Sequence, residues 1–216
     1  MPDTTKIHAR VIVKIMGVFL MIIAIMMALG LVFSYVYNEP DKQALILSAA
    51  ITFVSGLVLF LINRNVDYQA INKRDGFIIV SSTWVVISLF GTLPFLLSGA
   101  IDNFTDAFFE TMSGFTTTGA TILTDIEAVS KGVLYWRSLT QWIGGMGVIV
   151  LALAIMPILG IGGMQLFIAE VPGPTKDKLH PRITQTAKLL WGIYVLLTFT
   201  QALLLYAGGM NVFESV

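Results

Sequence analysis

The chain reads as an all-α, polytopic helical membrane protein in which one short segment enters the bilayer and leaves on the side it came from. Three observations lead there. Of 216 residues, 56% are hydrophobic and only 12% charged, and the mean hydropathy is +0.83, a balance that soluble domains do not carry. Apolar runs long enough to cross about 30 Å of hydrocarbon, at about 1.5 Å per helical residue, recur along the sequence. The basic residues are also sorted by position. If every run crosses once, Lys6, Arg10, Lys14, Arg64, Lys73, Arg74, Lys176, Lys178, Arg182 and Lys188 share one side, and only Lys42, Lys131 and Arg137 fall on the other. The excess of positive charge assigns the first side, and with it the N-terminus, to the cytoplasm.

The first span is 11–36. Lys6, His8 and Arg10 precede it like the start of a signal peptide, but the apolar run is about twice the usual length, so a retained span is expected. "YNEPDKQ" turns the chain into a second span, 44–62, and the polar "NRNVDYQAINKRDG" leads to a third, 77–101. A fourth covers 133–159 and a fifth 186–207. The expected organisation is an N-terminal helical pair with its cytoplasmic loop (1–76), a helix, hairpin and helix (77–159), a cytoplasmic connection (160–185) and a further helix (186–216).

Segment 102–132 is different. Asp102, Asp106, Glu110, Asp125, Glu127 and Lys131 are spread through it, and a crossing here would invert the charge pattern of every later loop. It is expected to leave and return on the outer side. Residues 103–113 read as a short helix: Phe104, Phe108 and Met112 share one face, Asp102 or Asn103 can cap the start and Gly114 can end it. Its length is roughly 16 Å, about half the hydrocarbon. Residues 115–120, if extended, climb back. Irregular backbone at that depth is tolerated only when buried in protein or lining water. "TTTGAT" exposes carbonyls, and rings of carbonyls can replace the hydration shell of a cation. Glu110 inside the short helix needs a partner and is read as a structural brace. Asp125 and Glu127 stand where acids can concentrate cations or simply be solvated.

Other chemistry is poorly supported. There are no cysteines and two histidines, and His8 and His180 have no metal-ligand spacing around them. An intramembrane Ser/His hydrolase would need a histidine beside Ser113, and both histidines fall on the opposite side. Zero net charge without a basic patch argues against nucleic acid. "GIGGMQLF" lacks the Lys and Ser/Thr of a phosphate loop. Trp136, Arg137 and Trp142 are read as anchors at the outer interface, and Gly144, Gly145 and Gly147 as a close-packing stretch.

"FFETMSGFTTTGATIL", "WRSLTQWIGGMGVIVLALAIMP" and "GPTKDKLHPRITQTAKLLW" resemble the Trk/Ktr/HKT superfamily of potassium transporters, most closely the membrane subunits of bacterial Trk uptake systems. The resemblance implies a re-entrant helix-plus-filter pore hairpin, the first of four around one pore. Its filter falls on Thr116, Thr117, Thr118 and Gly119, with the carbonyls of Thr117 and Thr118 foremost as potassium ligands. It also implies a bacterial inner membrane, no enzyme activity, no cofactor beyond the transported K+, a homodimer, and a cytoplasmic nucleotide-binding regulatory subunit. "NVFES" at 211–215 echoes "AFFET" at 107–111, as if a second hairpin were beginning, so an N-terminal fragment of a longer transporter is expected. The rival expectation is a non-conducting helical membrane scaffold.

Overall fold

The structure is a computed structural model that describes residues 8–66, 73–155 and 179–215. Helices and turns account for these residues, with no strand among them. They gather into two compact units, Met1–Gly144 and Gly145–Val216.

In the first unit, α1 (Ala9–Val36) and α2 (Lys42–Ile62) form an antiparallel hairpin. Lipid supplies no hydrophobic drive between helices, so close backbone packing must hold them. Gly17 and Gly56 provide it: a Cβ on either would lie 2.7 Å from the other's carbonyl oxygen. Lys14 is buried in α1, and its ammonium donates to the carbonyls of Arg64 (3.0 Å) and Val66 (2.8 Å) just past the end of α2. It acts there as a cap on carbonyls that the helix leaves unpaired.

The third span is interrupted. α3 (Lys73–Gly91) stops and α4 (Leu93–Ser98) restarts after Thr92. Pro94 is the reason: it lacks an N–H, its ring excludes the preceding turn's carbonyl, and it sits in the first turn of α4, where no donor is needed. α5 (Phe104–Phe115) and α6 (Lys131–Ile155) follow. Ile23, Met27, Ile87, Phe95, Phe115 and Trp136 meet in the core of this unit. Trp136 is fully buried, and its indole N–H donates to the carbonyl of Gly91 at 3.0 Å. That corrects the expectation of an interfacial anchor: the break after α3 places an acceptor inside the core, and the indole takes it.

The second unit holds the remainder of α6, α7 (Leu179–Ala207) and α8 (Val212–Ser215). α7 begins seven residues before the expected 186. Asn211 and Glu214 cap α8 reciprocally, each backbone N–H bonded to the other's side chain at 3.4 and 3.0 Å. Among the described residues, Ala9–Val36, Lys42–Ile62, Asp75–Ser98 and Gln185–Ala207 are long and apolar enough to cross a membrane. Residues 156–178, with "GIGGMQLF", Lys176 and Lys178, lie outside the described residues, as does Lys6.

Candidate functional site

α5 starts on Asn103, whose side chain accepts from the Thr105 amide at 3.0 Å. It runs to Phe115, two residues beyond the expected 103–113. Its buried face is not the one that carries Phe104, Phe108 and Met112. Ala107, Glu110, Thr111, Ser113, Gly114 and Phe115 are buried, while Phe104 is 52% exposed and Phe108 and Met112 are half-buried. Small and polar residues let α5 approach its neighbours closely, which leaves the large apolar ones outside.

The turn after α5 replaces the expected straight strand. The amides of Thr116 and Thr117 donate to Met112 and Gly114 carbonyls, both at 2.9 Å, and the amide of Thr118 to Ser113 at 3.0 Å. This is a helix-terminating motif whose left-handed position normally belongs to glycine. Here Thr117 occupies it, with φ +56°. A β-branched residue in that region is rare and stores about 1–3 kcal/mol. Gly119 follows at φ +75°. Ser113 ties the returning arm down, its hydroxyl donating to the Ala120 carbonyl at 2.6 Å. The predicted filter residues Thr116, Thr117, Thr118 and Gly119 thus sit together at the tip, exposed. Among the described residues, no hydrogen bond ends on their carbonyl oxygens.

Glu110 holds the two arms together. Its side chain is 2% exposed and accepts from Arg137 Nε at 2.6 Å. It also accepts from the Thr121 hydroxyl at 3.0 and 2.9 Å and the Ile122 amide at 3.0 Å. One carboxylate therefore joins α5, the segment that follows its turn and α6, in agreement with its reading as a brace. Arg137, 17% exposed, is an internal partner and not the interfacial anchor expected of it. α6 backs the hairpin along its length. A Cβ on Gly144 would collide with the Phe115 carbonyl, and one on Gly114 with the Thr140 hydroxyl.

Both ends of the segment open on one cavity of about 920 Å³, whose lining includes Asp102 and Asn103, Asp125 and Ser130, and Pro40 and Asp41 of the α1–α2 turn. Asp125 accepts from the Ala128 amide at 3.2 Å in an exposed turn, and Glu127 is exposed beside it. His8 pairs with buried Asp75 at 2.8 Å. No group of three or more His, Cys, Asp or Glu is placed to hold a metal ion among the described residues. Sequence reasoning missed Asp41 and the Arg137 partnership. The signal for the latter was present, since an isolated cation and an isolated carboxylate within apolar surroundings usually find each other.

Long apolar helices, interrupted by a short helix that ends in a turn of unpartnered carbonyls, define a multi-pass α-helical membrane protein. The family model for TrkH, described as cation transport protein, matches residues 41–211. The chain belongs to that family, one of cation transport proteins. It is 46% identical over 209 residues to the Trk system potassium uptake protein TrkH of Halomonas elongata, covering 96% of this chain and 43% of that protein. It is 43% identical over 211 residues to the same-named protein of Escherichia coli, covering 97% and 44%. The crystal structure of the potassium transporter TrkH from Vibrio parahaemolyticus superposes with a TM-score of 0.83 at 35% identity, over 97% of this chain and 42% of that one. The chain thus spans less than half the length of the relatives it matches.

Proposed function

We propose that this chain contributes one pore repeat, 77–159, to potassium uptake across a bacterial inner membrane, with its N-terminus in the cytoplasm and 186–216 opening the next repeat. The carbonyls of Thr116, Thr117, Thr118 and Gly119 are the ligands of the passing K+, those of Thr117 and Thr118 foremost. The observation that carries this reading is their lack of any hydrogen-bond partner among the described residues. Four successive exposed carbonyls that no donor among the described residues occupies are free to face a cation shedding water. φ also changes sign, from −80° at Thr116 to +56° at Thr117, and is again positive at Gly119. In a uniform strand successive carbonyls point to opposite sides, and alternating handedness turns them toward a common one. The cavity shared by Asp102 and Ser130 favours a segment that re-enters over one that crosses. One hairpin supplies about a quarter of a ring, which does not offset dehydration alone, so three further hairpins complete the pore. Partners that suit this reading are lipid, a second copy of the protein and a cytoplasmic nucleotide-binding regulatory subunit.

The test is potassium-limited growth and uptake by a transport-deficient cell carrying the complete gene with Gly119→Ala or Gly119→Ser. Either Cβ at φ +75° disturbs the tip, and loss of potassium preference is expected. Wild-type rate and selectivity in both variants would overturn the assignment and favour the non-conducting scaffold.

A further inference from the structure

The α1–α2 hairpin stands outside the pore repeat, yet its turn grips the start of α6. Asp41 is 3% exposed. One of its oxygens accepts from the Ser130 hydroxyl at 2.7 Å and from the Val133 amide at 3.0 Å, 92 residues away. A carboxylate so placed caps α6 from another element, satisfying the first-turn amide of Val133 and facing the positive end of the helix. The other oxygen is buried with no hydrogen-bond partner among the described residues. Around this cap the junction is tight. Phe33 meets Tyr135 with ring centroids 4.4 Å apart, Lys131 lies 3.7 Å from the Tyr37 ring, and a Cβ on Gly132 would collide with Ser34 and lie 2.6 Å from the capping oxygen.

We propose that Asp41 is a positioning residue for the filter, acting through the axial register of α6. The inference rests on the filter assignment above. α6 is one continuous helix from Lys131, and in succession it presents Trp136 to Gly91, Arg137 to Glu110, Thr140 to Gly114 and Gly144 to Phe115. A slip of one residue moves all four by about 1.5 Å. That separates the 2.6 Å Arg137–Glu110 pair and withdraws the brace from Thr121 and Ile122. The α1–α2 pair is thereby the clamp that fixes where the hairpin's backing helix begins. An oxygen buried without a partner marks a position where stability is not what the residue was fitted for.

The experiment measures K+ uptake by the complete gene product carrying Asp41→Ala, Asp41→Asn or Ser130→Ala, with membrane abundance quantified and the apparent KM separated from the maximal rate per molecule. Asp41→Ala is expected to raise the KM for K+ about tenfold, the scale of one charge-assisted hydrogen bond. Asp41→Asn, which keeps an acceptor for Val133, should recover most of that shift, and Ser130→Ala, which removes one of two donors, should show about a third of it. Should Asp41→Ala fail to reach the membrane, the other two are read in the same way. Losses that track abundance alone, with KM unchanged in every variant that reaches the membrane, overturn the proposal. Wild type and Gly119→Ala run alongside: if these two are indistinguishable the filter assignment fails, whereas a sensitive Gly119 with an indifferent Asp41 and Ser130 sinks only the clamp.

Discussion

Replacing Arg137 by alanine leaves Glu110 buried at 2% exposure, with the Thr121 hydroxyl and the Ile122 amide as its remaining donors. Removing one partner of a buried ion pair costs about 3–5 kcal/mol, because the other charge stays out of water. Two surviving hydrogen bonds hold part of that charge, so the lower end, about 3 kcal/mol, is expected. Glu110→Gln is milder. It keeps an acceptor for the same donors and strands Arg137, which at 17% exposure is nearer solvent, so about 1–2 kcal/mol is expected. Glu110→Gln combined with Arg137→Ala removes both charges at once, and the pair should be better by about 1–3 kcal/mol than the sum of its parts. Equilibrium unfolding in mixed micelles, run on both single variants and the double, measures all three quantities. A cost below about 0.5 kcal/mol for Arg137→Ala, or strict additivity, would refute the reasoning, since a brace that joins three segments has to couple.

Gly144→Ala pushes a methyl into the Phe115 carbonyl, and a loss of about 1–3 kcal/mol is expected, read by the same unfolding assay. Thr117→Gly relieves the left-handed strain at φ +56° but frees the unfolded chain, so stability should stay within about 1 kcal/mol of the parent. Potassium preference in uptake should nonetheless fall as the tip loses its fixed conformation. These 216 residues hold no cysteine, so Asp102→Cys and Lys131→Cys each give a single labelling site here, once any cysteine encoded elsewhere in the complete gene has been replaced by serine. An impermeant thiol reagent should reach both from one compartment, and labelling from opposite compartments would remove the re-entrant hairpin altogether.

The long helices were legible because hydropathy over about 20 residues is a strong signal that tertiary context rarely overrides. The break at Thr92 was less visible: Pro94 lay inside an apolar run, and hydropathy does not register a missing N–H. α5 was legible from its period and its Asn103 cap, though not which of its faces packs inward. Its phenylalanine stripe marked the helical period, but the stripe is not the packed face, since Ala107, Glu110, Thr111 and Gly114 face inward. A soluble-protein rule fails there, because inside a membrane protein the surroundings are apolar and the interior can be the polar side. "TTTGA" marked the tip correctly, and Glu110 asked for a partner, but only the fold could bring Arg137 and Thr121 to it. Asp41 gave no sign at all, since its donors stand 89 and 92 residues further on.

The amides of Thr116, Thr117 and Thr118 all turn back onto carbonyls of α5. The tip of the hairpin therefore shows lone pairs to its surroundings while those three N–H dipoles face the other way. Had the same loop preceded a helix, its free groups would be donors, and the site would attract anions. Ending a helix there instead makes chloride unwelcome before any question of ionic radius arises.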